Sequence, residues 1–422
     1  MEKTEQYAII LSLTDDTEEI IQLARSLNYT ILETFIQHKN KPEVKTYIGA
    51  GKLNEIQEYL EESAISISLI IVNGELRPSQ WFLLEKECSL LVYDRIKLIL
   101  MIFKERAKRK EAQLQVQLAE LEYEKPYVKE LIHRSRSGEH PGLMAGGEYQ
   151  VDDYFEMLKK QIKLIKQKLK KIEQDRLTQR KHRQQHGFYL VSLAGYTNAG
   201  KSTLLNMLTN EEVLAENRLF STLSTTTRKI SEKIPILLTD TVGFIENLPS
   251  WIIKAFHSTL EEIIESDLIL LVVDVSDPLP IIHRKIDVSL KELSELHVSS
   301  SILLIMNKKD LVTEKEFRFI TNDIVRKTQF PITDIIGVSS LDAICMIEVV
   351  RFIIDHLPDL ISLKITLPQT SEIQSFISLL FEITYVLKIT YDEQVHIDLK
   401  CNASLQKKIE HFCQNYHGII SI

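Results

Sequence analysis

Between positions 195 and 202 the chain reads Gly195-Tyr196-Thr197-Asn198-Ala199-Gly200-Lys201-Ser202, followed by Thr203. This is the G-x-x-x-x-G-K-[ST] pattern, and each residue type meets a need of a bound polyphosphate. The glycines let successive backbone N–H groups turn inward around anionic oxygens, and the start of the following helix adds its positive dipole end. Lys201 offers a point charge to the terminal phosphates, and the Ser202 hydroxyl is a hard oxygen ligand suited to Mg2+. Taken alone, the pattern also fits a plain glycine-rich turn between a strand and a helix. A second cluster, Asp240-Thr241-Val242-Gly243, follows the strand-like stretch Pro235–Thr239. A carboxylate at that strand end can hold Mg2+ directly or through water, and the Gly243 N–H can meet a γ-phosphate.

A third cluster selects the base. Asn307-Lys308-Lys309-Asp310 follows the apolar run Ile302–Met306. Asp310 can accept hydrogen bonds from N1–H and the exocyclic amine of guanine, whereas adenine presents the wrong pattern there. Asn307 and the stem of Lys308 support the purine, and a backbone N–H of Val338-Ser339-Ser340 can reach the guanine O6. These motifs in this order, each after a predicted strand, make GTP rather than ATP the expected ligand and Mg2+ the expected metal. Between the first two lies Leu219–Arg228, containing Phe220, Ser221, Thr222, Leu223 and Ser224, and read as a loop. One threonine there is expected to join Mg2+ only while the γ-phosphate is present, which makes a switch. Thr222 is favoured, and Thr225–Thr227 is the competing run. Lys201, Thr222 and Gly243 are the expected catalytic groups. Arg228 is a candidate internal arginine finger, set against the commoner reading of a surface arginine. Phe244 stands after Gly243, where Ras-like proteins carry a water-positioning glutamine. A phenyl ring cannot hydrogen-bond a water, so slow intrinsic hydrolysis accelerated by an external partner is expected.

The elements that must position these groups are legible in hydrophobic spacing. Residues 7–100 alternate strand-like (Tyr7–Leu13, Ile31–Ile36, Ser68–Val72, Leu90–Tyr93) and helix-like segments, which predicts a small α/β domain with a largely parallel sheet. Tyr47-Ile48-Gly49-Ala50-Gly51-Lys52 opens one of those helices. It is weak evidence for a second phosphate site, because Leu53 stands where a trailing Ser/Thr belongs. Ile96 to about Glu124 reads as one charged helix, broken at Pro126. A second long helix runs from roughly Val151 to Gln185, with Leu158, Ile162, Ile165, Leu169 and Ile172 spaced as a coiled-coil seam. Together they predict an antiparallel hairpin. Its second helix carries Lys159, Lys160, Lys163, Lys166, Lys168, Lys170 and Lys171 against few acids. Such a run is either a solvated face or a surface for a phosphate backbone. The expected divisions are 1–96, 97–186, 187–360 for a P-loop domain with a mostly parallel sheet, and 361–422 for a small α+β domain. In that last part Ile383–Ile389 and Val395–Leu399 read as strands and Leu405–Phe412 as helix.

Composition limits the alternatives. A chain of 422 residues exceeds what one hydrophobic core usually serves, and 44% hydrophobic with 26% charged residues is ordinary for a folded protein. The formal net charge of −8 argues against nucleic-acid binding by overall charge while allowing a local basic stripe. Cys88, Cys345, Cys401 and Cys413 are scattered, with no C-x-x-C pair, so a zinc or redox pair is not expected and a reduced compartment is. The N-terminus lacks a signal-peptide core, and the most apolar stretch, Leu268–Val275, is too short to span a bilayer. A cytoplasmic protein, monomeric when free, follows, with room for peripheral membrane association.

Across nearly its whole length the sequence resembles the HflX family of ribosome-associated GTPases, in the Obg-related group of translation GTPases. The resemblance is carried by Tyr47–Leu53, by Asp94-Arg95 leading into Phe103–Ala107 and Leu114–Ala119, and by GYTNAGKSTLLN, LFSTLSTTTR, DTVGFI and FHSTLEE. It implies GTP hydrolysis, binding of the large ribosomal subunit and its rRNA, and splitting or rescue of ribosomes under stress. By the same resemblance Thr222 is the switch-loop Mg2+ ligand, and the hairpin tip approaches the peptidyl-transferase region. The tip departs from the family pattern: Glu148 and Gln150 remain, while the usual paired arginines give way to Tyr154, Phe155 and Glu156.

Overall fold

The computed structural model describes residues 6–136, 148–185, 188–209, 226–230, 236–246, 249, 251–252, 257–327, 332–370 and 373–421. Short apolar runs build the first sheet: β1 (Gln6–Ser12), β2 (Tyr29–Ile36), β3 (Ile67–Val72) and β4 (Leu91–Asp94), all parallel in the order β2-β1-β3-β4. Parallel pairing needs crossovers, and helices α1 (Glu18–Ser26), α2 (Ala50–Glu62) and α3 (Pro78–Cys88) supply them. Ile9, Leu11, Ile70 and Val72 are buried with Ile48, Ile56 and Leu84. Gly49 is the N-cap of α2, its N–H donating to Gln37 Oε1 at 2.8 Å, and Lys52 pairs with Glu55 at 2.7 Å. Neither Gly49 nor Gly51 takes a left-handed φ. The segment is thus a helix start and lacks the inward-turned backbone of a phosphate loop.

Helices α4 (Arg95–Arg106), α5 (Lys110–Arg136) and α6 (Glu148–Gln185) follow. Two expectations are corrected here. The chain breaks between α4 and α5, where the Gln113 side-chain amide donates to the Ala107 carbonyl at 3.1 Å, and α5 runs straight through Pro126. A proline costs an internal helix one N–H bond and crowds the preceding turn. Here Leu118 and Val128, on either side of it, are both buried against Leu158, Ile162 and Ile165 of α6. Burial of that seam outweighs the local penalty. Asp94, fully buried, anchors α5 to the sheet. It accepts from the N–H groups of Leu76 (3.1 Å) and Lys97 (2.8 Å) and from the Tyr123 hydroxyl (2.9 Å). Burial nevertheless pushes its carboxyl up to about 6.

The chain packs as two compact units that divide within α6, after Ile172. In the second, β5 (Tyr189–Ala194), β6 (Thr226–Lys229), β7 (Ile236–Asp240), β8 (Leu268–Asp274), β9 (Ser301–Asn307) and β10 (Ile332–Gly337) form one sheet in the order β10-β9-β8-β5-β7-β6. All neighbours are parallel except β6, antiparallel to β7. Every residue of β8 is buried, as expected of a central parallel strand with both faces covered. Register does the positioning: Leu193 pairs with Asp240 and Asp274 with Asn307, so the motifs leave from one carboxyl edge. In open α/β sheets that edge is where ligands bind. Thr226, Thr227 and Arg228, read from sequence as loop, lie instead on β6, where the β-branched pair favours extended backbone. The Thr227 hydroxyl is engaged with that of Thr239 at 2.9 Å.

The chain ends in β11 (Leu360–Pro368), helix Ile373–Ile383, β12 (Tyr385–Tyr391), β13 (Gln394–Asn402), helix Gln406–Asn415 and β14 (Ile419–Ser421). The antiparallel order β12-β13-β11-β14 is that of a split β-α-β module. Ile383 closes the helix rather than opening a strand, because Ile373, Phe376, Ile377, Leu380 and Ile383 form one buried helical stripe.

Candidate nucleotide-binding site

The loop Gly195–Gly200 joins β5 to helix α7 (Lys201–Thr209), which contains Ser202 and Thr203. Two positions require glycine. Gly195 and Gly200 hold φ of 135° and 93°, and a Cβ on either would collide, with the Val272 carbonyl oxygen in one case and the Asn307 amide nitrogen in the other. Asn198 takes a left-handed φ of 64°, a conformation its side chain tolerates. The loop therefore makes a tight turn into α7.

Lys201 is buried, its ammonium donating to the carbonyls of Gly195 (3.0 Å) and Tyr196 (2.8 Å). Burial pulls it down to about 8 against the opposing pull of the Asp240 carboxylate. The Ser202 hydroxyl donates to Asp240 Oδ2 at 2.7 Å, so the hydroxyl and carboxylate expected to share Mg2+ are adjacent. Thr241 is fully buried, its hydroxyl tied to the Leu193 carbonyl at 2.6 Å. Val242 and Gly243 follow, both buried. A Cβ on Gly243 would lie 2.9 Å from both the Lys201 ammonium and Thr197, so this backbone, the cation and the loop meet at one point. Phe244 is buried too. Its N–H donates to the Gly195 carbonyl (3.0 Å), and its carbonyl accepts from the Thr197 N–H (2.9 Å).

The base motifs are tied to the same loop. Asn307 is buried, its amide donating to the Ala199 carbonyl (2.9 Å) while its oxygen accepts from the Ser340 N–H (3.2 Å) and hydroxyl (2.7 Å). Val338 donates its N–H to the Met306 carbonyl (2.8 Å) and accepts from the Lys309 N–H (3.1 Å). Lys308, with φ of 61°, pairs with Asp274. Asp310 stays exposed at the rim, in the single helical turn Lys309–Leu311, and Ser339 lies beside Ser340. Asn307 thus acts as the brace that joins the phosphate loop to Ser340. Phe220, Ser221, Thr222, Leu223 and Ser224 lie outside the described residues.

Sequence reasoning missed Asp274, which accepts from the Ser276 N–H (3.0 Å) and hydroxyl (2.6 Å) and orients Lys308. The signal was present: a lone carboxylate ending a wholly apolar strand, as Asp240 does. Tyr196, placed by the sequence in the phosphate loop, does more than turn the chain: its hydroxyl accepts from the Glu246 N–H at 3.2 Å and its ring lies 5.5 Å beneath the Lys285 ammonium.

Three family models match the chain. Residues 14–104 match a family model described as GTP-binding GTPase N-terminal, 106–183 one described as GTP-binding GTPase Middle Region, and 190–308 one described as 50S ribosome-binding GTPase. A protein of Thermococcus kodakarensis named GTPase HflX is 39% identical over 389 residues, covering 90% of this chain and 87% of that one. Another of the same name from Methanocaldococcus jannaschii is 41% identical over 381 residues, 90% of this chain and 91% of the other. Among solved structures, SsGBP in complex with GDP is similar with a TM-score of 0.51 at 26% identity, covering 83% of this chain and 99% of that one.

Proposed function

The chain belongs to the HflX family of GTPases, and from that premise we propose that it binds the large ribosomal subunit through rRNA and uses GTP to split or rescue ribosomes under stress. The observation that carries the partner is the match of residues 190–308 to a 50S ribosome-binding GTPase model. In this reading the loop at Lys201 holds the phosphates, Asp310 reads guanine, and the backbone of Ser339–Ser340 reaches its O6. Mg2+ suits the paired oxygens of Ser202 and Asp240, the ion shielding the phosphate charge, with Thr222 joining when the γ-phosphate is present. Hydrolysis is slow in the free protein because Phe244 cannot orient water, and the ribosome orders the site. Large subunits should raise the turnover of the full chain by about 10-fold or more, and the chain should co-sediment with them in a non-hydrolysable GTP analogue. Unchanged turnover and no co-sedimentation would leave a GTP-dependent adaptor or timer as the better account.

The exposed face of α6 supports an RNA contact. Lys163 and Lys170 line a groove with Lys125, Lys159 and Lys166. Glu156 pairs with Lys159 and Glu122 with Lys166, each at 2.8 Å, and Glu122 also reaches Lys125 at 3.9 Å, so the five lysines of the groove meet two carboxylates among these pairs. Reversing Lys163, Lys166 and Lys170 to Glu should weaken RNA binding and reduce the slope of log affinity against log salt by about two to three. An unchanged slope would make the stripe an ordinary solvated face. No helix among the described residues is long and apolar enough to cross a membrane.

A further inference from the structure

If Phe244 cannot position the attacking water, another group near the γ-phosphate must do so, and the buried polar atoms beside Gly243 single one out. Thr197 is only 4% exposed, yet its hydroxyl has no hydrogen-bond partner among the described residues. A buried hydroxyl without a partner is destabilising, and valine would fill the same volume without that cost. Packing alone therefore gives no reason for a threonine. Its surroundings give one. The Thr197 backbone is held against the Gly243–Phe244 segment by the bond from its N–H to the Phe244 carbonyl. A Cβ built on Gly243 would lie 2.9 Å from Thr197 Cα, Thr197 Cγ2 and the Lys201 ammonium alike. The Thr197 Cα and methyl thus sit where the phosphate-binding cation and the Gly243 backbone converge, and the hydroxyl is carried on the same Cβ.

We propose that the Thr197 hydroxyl positions the nucleophile for GTP hydrolysis, doing from the phosphate loop what Phe244 cannot do from the segment after Gly243. The inference rests on the reading of this loop as the GTP site. A hydroxyl has one donor and two acceptor lone pairs, so it can donate to a γ-phosphate oxygen while accepting from the attacking water. The water oxygen bonds to the γ-phosphorus and the bond to the β–γ bridging oxygen breaks, its electron pair leaving on GDP. The water's proton ends on the released phosphate, and Thr197 is unchanged.

The test compares Thr197→Val, which keeps shape and removes the hydroxyl, with Thr197→Ser, which keeps the hydroxyl, in the full chain with GTP and Mg2+. Valine should lower single-turnover kcat by about 10- to 100-fold, with GDP affinity and thermal stability within twofold and a few degrees of the parent. Serine should restore most of the rate. Valine within twofold of the parent rate, or serine as slow as valine, would overturn the assignment. So would a valine variant that loses GDP and GTP binding together, since the hydroxyl would then serve binding alone. Absence of guanine-nucleotide binding in the parent chain would instead refute the nucleotide site itself.

Discussion

Lys201→Ala should remove GTP hydrolysis and lower GTP affinity by about 100-fold or more, while the nucleotide-free chain unfolds at the same temperature as the parent or higher. The two halves of this result have one cause. Lys201 is buried, and among the described residues its ammonium donates to the neutral carbonyls of Gly195 and Tyr196, at 3.0 and 2.8 Å. Desolvation outweighs the attraction of Asp240 and pulls the group down to about 8. Folding therefore spends free energy to hide this charge, and alanine relieves the cost. Bound triphosphate reverses the balance, because two charge-assisted contacts in a site shut off from water are worth about 3 kcal/mol or more together. Thermal melts with and without GTP·Mg2+ read both effects. A variant that still gains the parent's nucleotide-induced stabilisation would remove Lys201 from phosphate contact.

The same residue sets a pH dependence. In the free protein the ammonium titrates at about 8, and phosphate contact raises it, so binding above that pH takes up a proton. Affinity for GTP should be flat at lower pH and fall as pH rises through 8, by at most about tenfold per unit. Calorimetry at alkaline pH in two buffers of different ionisation enthalpy should give different apparent heats for the parent and equal heats for Lys201→Ala. Equal heats for the parent would mean that Lys201 is fully protonated before the ligand arrives.

Much of the nucleotide site was legible because its chemistry is local. Eight consecutive residues make the motif, and the positive φ of Gly195 and Gly200 is written in their lack of a side chain. Strand ends were legible too, since an apolar run stops where Asp240 or Asn307 begins. Long-range choices were not. Nothing near Asn307 announces that its amide will reach Ala199, 108 positions earlier, or that its oxygen will take two bonds from Ser340. Asp274 escaped notice because its partner Lys308 follows the end of the neighbouring strand β9, whose register sets Asn307 opposite Asp274. Pro126 misled for the opposite reason: a strong local signal was overridden by burial of Leu118 and Val128 against α6. The strand Thr226–Lys229 exists because β7 offers it an edge, which a run of threonines does not reveal.

Asp310→Asn should turn the site from guanine toward xanthine. Guanine presents two donors on this edge, N1–H and the 2-amine, and a carboxylate can accept both. Asparagine keeps one acceptor and gains a donor that faces the 2-amine, so GTP affinity should fall by about 100-fold. Xanthine keeps N1–H and replaces the amine with a carbonyl oxygen, which restores the match, and xanthosine triphosphate should then bind the variant better than GTP does. The scaffold tolerates the exchange, because Asp310 is exposed while the turn is held by the Lys309 N–H on the Val338 carbonyl at 3.1 Å. Since the phosphate loop is untouched, xanthosine triphosphate bound to the variant should be hydrolysed at a rate close to that of GTP on the parent. That equality separates base recognition from chemistry. A variant that kept the parent's preference for GTP would move guanine selection from the Asp310 carboxylate to the backbone beside Ser340, the other group placed to read the purine.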